Sequence, residues 1–520
     1  MSAAAMEISE INAFPAPPFH QRLSRMAMSV AIAIGIICRI AQYVANLSFW
    51  TDEASLVLNI RGKTAAELLG PLDYLQAAPP LFLLAERGLF RMLGGSEMAL
   101  RLVPLLLGTA ALLLFALVAR RILSAPWDAV AVLIFALADR VIAHSVEVKP
   151  YIGDVFFCTL LLWIAIGRMA GMRADRRLAV LAAVATVGVW FSFPAAIVFG
   201  ALSLALMPAI VKRSARGAIK FVVLNLPVVV SFGGLLLFTR ATQKNAVLVD
   251  YWIKSFIDWH RPFYLPVWLL RHLVALADYP IPSAGPVVLL GAIFGGVALW
   301  KQRQRQLLAM LGGPILLALV PAALHRYPFD GGRLTVFLAP CMMLLAVIGF
   351  KDFTAQCSRR LGVASLLPVA YVVGVGCYWC GLHLAVPRNR GHLRPVAKFV
   401  ADHARSGDTV YVFDMEPFRC YWQPDDPRLR DVLDRADQIP TRRFWIVWSY
   451  ANKHEAQKPA PALAWANEFC REQTHDYEKG GAAVLFERIE GRLPAAIKPP
   501  YDGVDISEGR KRAVDLVSGK

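Results

Sequence analysis

The chain has 520 residues, 57% of them apolar and only 18% charged, with a formal net charge of +17 at neutral pH and a mean hydropathy of +0.49. That apolar content exceeds what a soluble domain of this length needs, so the composition excludes a soluble globular protein and points to a mainly α, polytopic membrane protein. The positive excess follows largely from basic loops gathered on one side of a membrane and is not a nucleic-acid signal.

Apolar runs of about the length that crosses lipid can be drawn at Met26–Ser48, Met98–Val118, Ala129–His144, Ile152–Arg168, Leu178–Phe193, Ala195–Val211, Ile219–Phe238, Gly285–Trp300, Leu307–Leu324, Leu334–Phe350 and Val363–Leu384. They predict about eleven transmembrane helices. With the N-terminal segment 1–25 inside, the inner loops carry Arg120/Arg121, Arg168/Arg173/Arg176/Arg177, Lys212/Arg213/Arg216, Lys301/Arg303/Arg305 and Lys351/Arg359/Arg360, so every basic cluster falls on one side. The alternation requires that Pro79–Leu93 not span. Leu81, Leu84, Ala85, Gly88, Leu89 and Met92 share one helical face with Glu86, Arg87 and Arg91 off it, which predicts an amphipathic helix in the outer interface. Leu83 and Phe90 fit that face less well. The first run is too long for a cleavable signal peptide and lacks its small-residue pattern, so it is expected to remain as an anchor.

Four loops then lie outside: the first outer loop 49–97, the turn His144–Pro150, the long loop Thr239–Ala284 and the turn His325–Arg333. Residues 26–386 read as one transmembrane catalytic domain, and the last span delivers all that follows to the outer side. Val396–Ala404 reads as helix, Thr409–Phe413 and Phe444–Trp448 as strands, Leu463–Gln473 as helix and Ala483–Glu487 as strand. This alternation predicts a small α/β domain of roughly 100 residues, 387–490, with a weakly patterned polar tail, 491–520. No inverted internal repeat of the transporter kind is visible. Of the eight cysteines, Cys377 and Cys380 form a C-x-x-C inside an apolar helix, a weak metal or redox signal that reads as packing. Cys420 and Cys470 could pair in an oxidising compartment, which spacing alone does not decide.

The chemistry is most legible at Trp50-Thr-Asp-Glu-Ala-Ser55, where Asp52 and Glu53 stand just past the first span. Capping of a helix beginning near Ala54 is the bland use of such acids. Their company argues for more: His144, Glu147, Lys149 and Tyr151 in one outer turn, and His325, Arg326, Tyr327, Asp330 and Arg333 in another. Acids on one loop facing cations on two others can hold a sugar hydroxyl and a phosphate together. Lys149 and Arg333, near span ends, also fit simple snorkelling to headgroups.

These residues resemble the C-type glycosyltransferases (GT-C fold) that use a lipid-phosphate-linked sugar, the group of protein O-mannosyltransferases, aminoarabinose–lipid A transferases and rhizobial lipopolysaccharide galacturonosyltransferases. The first-loop acid pair corresponds to Asp52-Glu53, and the His-Pro-Pro-Leu element to Ala78-Pro79-Pro80-Leu81, with alanine for histidine. The Ser-x-Glu-x-Arg-Pro-Tyr turn corresponds to Ser145–Tyr151, with Lys149 for arginine, and the Tyr-Pro-Phe-x-x-Arg element to Tyr327-Pro328-Phe329 and, one residue late, Arg333. The missing histidine and the Ala54-Ser55 after Glu53 depart from a standard protein mannosyltransferase.

The resemblance implies a multi-pass protein of the bacterial inner membrane whose catalytic face and C-terminal domain are periplasmic. It implies inverting transfer of one sugar from a polyprenyl-phosphate donor to a hydroxyl of a cell-envelope glycan, lipid or protein. In such a reaction Asp52, with Glu53 beside it, is the expected general base, and Lys149, Arg326 and Arg333 are the expected phosphate-binding cations. Glu147, Tyr151, His325 and Tyr327 are the expected substrate-binding residues. Glu147 has two roles open to it, orienting Lys149 or holding a divalent cation with Asp52; a cofactor is otherwise not specified. Trp252, Trp259, Phe263, Tyr264 and Trp268 read as an interfacial belt or as a loop closing over substrate. Arg39 and Asp154 are charges inside spans, expected to face the bundle interior, with Arg39 pairing there or touching the lipid phosphate. Two other classes remain: a flippase or exporter of a lipid-linked saccharide, which calls for charges and broken helices at the midplane, and a glycan-binding structural role.

Overall fold

A computed structural model of the chain describes residues 19–166, 172–212, 214–243, 246–388, 391–413, 415–422, 426–431, 442–449, 463, 466–467, 470–478 and 481–489. The polar tail expected after 490 and most of the expected N-terminal segment lie outside these residues. Helices stand over the predicted apolar runs: α1 (Phe19–Ala45), then in the first outer loop α2 (Thr51–Gly62) and α3 (Pro80–Met92), then α4 (Glu97–Ile122), α5 (Trp127–Ala136), α6 (Asp139–His144), α7 (Tyr151–Ile166), α8 (Ala174–Gly188), α9 (Ala195–Val211) and α10 (Ala215–Thr242). The long outer loop holds α11 (Ala246–Tyr251) and α12 (Leu265–Asp278), after which come α13 (Gly285–Lys301), α14 (Arg305–Ala323), α15 (Ala339–Leu361) and α16 (Leu367–Ala385). Leu23–Ala45, Glu97–Ile122, Ala215–Thr242, Arg305–Ala323 and the continuous stretch Val336–Ala385 are long and apolar enough to cross a membrane. The chain is thus a mainly helical, membrane-embedded protein.

Small residues let these helices approach. A Cβ on Gly295 would run into the Leu345 carbonyl, and one on Gly349 into the Gly291 carbonyl, so α13 and α15 meet backbone to backbone. The run predicted as one helix over Ala129–His144 is instead broken into α5 and α6. Asp139, at the first position of α6, is drawn to His383 Nδ1 at 2.5 Å and Arg388 Nη1 at 3.4 Å, beside the outer end of α16.

The first outer loop builds its own core, in which Phe49, Leu56, Ile60, Phe82, Leu83 and Val148 are buried together. In α3 the buried face carries Phe82, Leu83, Glu86 and Arg87, while Gly88 and Met92 are exposed. Leu81, Leu84, Ala85 and Leu89 of the apolar stripe are half-buried, and Leu83 sits off that stripe because it packs inward. The side chains of Glu86 and Arg87, which lie off the apolar stripe, are buried under the loop rather than solvated. Arg87 Nη1 donates to the Ile60 carbonyl near the C-terminal end of α2, where a helix favours a cation.

Past α16, α17 (Leu393–His403) and α18 (Met415–Arg419) accompany a sheet of β1 (Thr409–Val412), β2 (Leu429–Asp431), β3 (Arg443–Ser449), β4 (Cys470–Glu478) and β5 (Gly481–Arg488). The strand order is β2-β1-β3-β5-β4. β1 runs parallel to β2 and β3, while β5 is antiparallel to β3 and β4. The helix expected over Leu463–Gln473 gives way to strand from Cys470, because β4 pairs along β5 as a partly exposed edge strand. Cys420 and Cys470 are free thiols in different clusters, the first packed under the first outer loop and the second in the sheet.

This C-terminal part docks onto the first outer loop. Tyr421 stacks on Phe49 with centroids 6.2 Å apart and 17° between planes, and its hydroxyl accepts the Phe49 N–H at 2.7 Å. Arg394 donates to the Asn46 carbonyl at 3.0 Å and pairs with Glu97. Arg61, near the end of α2, reaches the Cys420 carbonyl at 3.1 Å.

Candidate active site

Asp52 lies within the first turn of α2, which starts at Thr51 rather than near Ala54. Lys149 Nζ donates to Oδ1 at 2.9 Å, Arg333 Nη1 to Oδ2 at 2.8 Å and the Tyr151 hydroxyl to Oδ2 at 3.3 Å. Capping is therefore not what its side chain does. Two segments far apart in sequence, the turn of Lys149 and Tyr151 and the turn of Arg333, converge on one carboxylate, and each is held by its own local device.

The Lys149 turn is held by Glu53. One residue on from Asp52 and about 100° round the helix, Glu53 points into the protein, where it accepts the Val148 N–H at 2.9 Å and lies 3.6 Å from Arg101. Glu147 bonds His144 Nδ1 at 2.6 Å, and His144 Nε2 reaches the Tyr279 hydroxyl at 2.9 Å. Arg333 is placed by a knot around Asp330, which accepts the N–H groups of Gly332, Leu334 and Thr335 and the Thr335 hydroxyl. The turn needs Gly331 at φ +62°, where a Cβ would strike Ala275 and the His272 carbonyl.

Gln76 joins the cluster, its Oε1 accepting from Lys149 Nζ at 2.6 Å. It follows Tyr74 and Leu75, which stand at φ +60° and +55°, a left-handed pair rare outside glycine. Asn59 holds that turn, donating to the Asp73 carbonyl and accepting the Asp73 N–H. Around Arg333, Trp252, Trp50 and Tyr151 present ring centroids 5.3, 5.7 and 5.9 Å from the guanidinium carbon.

Burial alone would raise the Asp52 carboxyl, but Lys149 and Arg333 outweigh it and hold the group below its ordinary value. Burial pulls the Lys149 ammonium down, and Asp52 offsets that only in part. For Arg333 burial acts downward too, yet Tyr151 and Asp52 outweigh it and the guanidinium titrates above its ordinary value. The arrangement is an ionised carboxylate between two partly desolvated cations, able to take a proton on one side and present positive charge on the other.

The remaining expected site residues sit elsewhere. His325 bonds the Ile257 carbonyl at 2.8 Å, and the Tyr327 hydroxyl donates to the Leu334 carbonyl at 2.8 Å. Arg326 is exposed, and its side chain makes no hydrogen bond or ion pair among the described residues. Of the long-loop aromatics, Trp252 joins the Arg333 cage, Trp268 is buried, and Trp259, Phe263 and Tyr264 are exposed. Asp154 is buried with Oδ1 unbonded, and Arg39 is fully buried with no ion pair among the described residues, so the expected pairing of Arg39 within the bundle is not what the fold provides. Among the described residues no three His, Cys, Asp or Glu side chains gather to hold a metal ion. The sequence reading missed Gln76, Trp50 and Arg101 as site residues; Trp50 had a signal within reach, since it stands two residues before Asp52 in the segment already singled out.

No family model matches the sequence, and no curated protein matches it. Among solved structures, the chain is similar to ArnT from Cupriavidus metallidurans bound to undecaprenyl phosphate, at 13% identity and a TM-score of 0.48 over 89% of this chain and 98% of that one. The same protein in its apo state gives 14% identity and a TM-score of 0.46 over the same shares, 89% and 98%. The oligosaccharyltransferase of Archaeoglobus fulgidus with Zn and sulfate gives 10% identity and 0.47 over 84% of this chain and 69% of that one. These are likenesses of structure alone, and the chemistry of this chain has to be read from the cluster around Asp52.

Proposed function

We propose that the chain is a membrane glycosyltransferase that moves one sugar from a polyprenyl-phosphate donor to a hydroxyl acceptor at the outer face of the membrane. The observation that supports this best is the convergence of Lys149, Arg333 and Tyr151 on the single carboxylate of Asp52. In the proposed reaction the acceptor oxygen forms a bond to the anomeric carbon, the bond from that carbon to the phosphate oxygen breaks, and the acceptor proton passes to Asp52. The phosphate leaves carrying the charge, and Lys149 and Arg333 stabilise it. A single displacement of this kind inverts the anomeric centre.

Before donor arrives, Asp52 serves as the counter-ion of the two cations that the phosphate will need. As the phosphate enters, Lys149 and Arg333 turn to it; Asp52 loses the charges that held its carboxyl down and becomes a better base. Binding of the donor thus arms the base. Glu53 and Glu147 act as positioning residues, holding the Lys149 turn from either side, and the Trp50, Tyr151 and Trp252 rings confine Arg333.

Surface glycolipids and glycans of cells lacking the protein, rescued by the unaltered chain or by Asp52→Asn at equal level, are to be compared by mass spectrometry. One sugar should be lost without the protein, restored by the unaltered chain and not restored by Asp52→Asn. Full rescue by Asp52→Asn would remove Asp52 as the base and make export of a lipid-linked saccharide the better reading.

A further inference from the structure

The buried cysteines of the first and last spans meet. Cys38 of α1 and Cys380 of α16 stand with their sulfurs 3.1 Å apart across 342 residues of chain, and they are 3% and 6% exposed. From its spacing Cys380 belonged to a C-x-x-C with Cys377, but Cys377 faces outward on the helix and is exposed. The partner that the fold supplies is Cys38.

The surroundings differ from those of a thiol that only fills space. A small cavity beside the pair is lined by both cysteines, by the polar Gln42, Asp139, His383 and Arg388, and by the apolar Ile142, Ala143 and Leu384. Arg39, next in sequence to Cys38, is fully buried, with Nε and Nη2 unbonded and only Nη1 donating, to the Gly35 carbonyl at 2.8 Å. Gln42 donates to the His383 carbonyl at 2.5 Å, so the same two helices are already registered by a polar contact one turn further out.

We infer that Cys38 and Cys380 form an interhelical disulfide when the protein is assembled in an oxidising outer compartment. A protein or small-molecule disulfide supplies the oxidising power. The Cys38 sulfur attacks one sulfur of that disulfide, giving a mixed disulfide and releasing the first thiol; the Cys380 sulfur then attacks Cys38, closing the bond and releasing the second thiol. The two protons leave on the reagent's sulfurs, and its S–S bond is the one reduced. Closure takes place as α16 packs on α1, since the packed pair is shielded. The product ties the last span, and the C-terminal part that it carries, to the helix leading into the first outer loop.

The test uses the full-length protein extracted from its membrane into denaturant with excess N-ethylmaleimide, digested without reduction and read by mass spectrometry. The expected result is a Cys38 peptide joined to a Cys380 peptide at two hydrogens below their summed mass, with Cys377 carrying the maleimide. Maleimide on both Cys38 and Cys380 overturns the inference, and so does loss of the cross-link in Cys377→Ala. As a second readout, a reducing agent should lower the thermal midpoint of the unaltered protein in detergent and leave that of Cys38→Ala/Cys380→Ala unmoved. Equal shifts in the two would also overturn it.

Discussion

Asp52 and Glu86 are acids of the same outer loop treated in opposite ways. Asp52, on α2, meets two cations and a phenol and titrates below its ordinary value. Glu86, on α3, is fully buried with both oxygens unbonded, and burial, with Glu53 adding to it, pushes its carboxyl well above the usual range. Between them stands Glu53, held by Arg101 and the Val148 amide. The loop therefore holds the Asp52 carboxyl below its ordinary value and the Glu86 carboxyl above it. Acid roles are set apart by environment rather than by residue type.

Replacing the ionised member should have the largest effect. Asp52→Asn should lower transfer by about 100-fold or more, while binding of polyprenyl phosphate, measured without acceptor, should hold or tighten, because the amide no longer competes for Lys149 and Arg333. Weakened binding would mean that Asp52 helps to hold donor, not to yield to it. Next is the middle member. Arg101→Ala leaves Glu53 buried without its cation and should cost about 3 kcal/mol of stability, read by thermal unfolding in detergent, with an accompanying fall in transfer as the Lys149 turn loosens. An unchanged midpoint would detach Glu53 from the scaffold.

The docking of the C-terminal part onto the residues ahead of α2 sharpens the comparison from outside. Tyr421→Ala should lower kcat by roughly 10-fold with little change in donor KM, since it loosens Phe49 and through it Asp52, and Tyr421→Phe should recover most of that by keeping the stack. Equal loss in both would place the effect in the hydroxyl bond to Phe49 alone. The smallest effect is expected at Glu86: Glu86→Gln should change stability by no more than about 1 kcal/mol at pH 5. Its pH dependence is the telling part. A carboxyl with a raised folded value lends its stability below about pH 4.3, the unfolded value, and loses it as pH rises through the folded one, so Glu86→Gln should flatten the decline toward neutral pH. Asp52 has the reverse sign, with its contribution present above about pH 3.9 and lost as pH falls through its lower folded value. A slope untouched by Glu86→Gln would mean that Glu86 is ionised in place.

Composition and run length made the helical membrane class legible, and residue order placed Asp52, Lys149 and Arg333 on facing loops. Their distances were not legible, because loop sequence does not state how turns pack. The division of labour between Asp52 and Glu53 was within reach: adjacent helical residues diverge by about 100°, so both acids could not face one point. Arg326 read as a stronger phosphate-binding candidate than Arg333, because it stands in a turn with Pro328, Gly331 and Gly332, yet the knot around Asp330 aims Arg333 inward. Nothing local to Gln76 announces that Asn59 and a left-handed pair deliver it to Lys149. The strand at Cys470 was missed because its pattern takes meaning only from β5 beside it.

A carboxylate already seated on both Lys149 and Arg333 cancels one of their two positive charges and occupies the donors that a passing anion would need. Free phosphate or sulfate arriving from water must compete with a ligand tethered to the same chain, whose effective concentration greatly exceeds that of any dilute solute. An anion that is itself confined to the membrane plane meets no such disadvantage, since its lipid tail supplies attachment that the headgroup does not have to provide. In the proposed reaction the Asp52 pairing would thereby favour an anion that arrives sideways from the bilayer over one that arrives from solution.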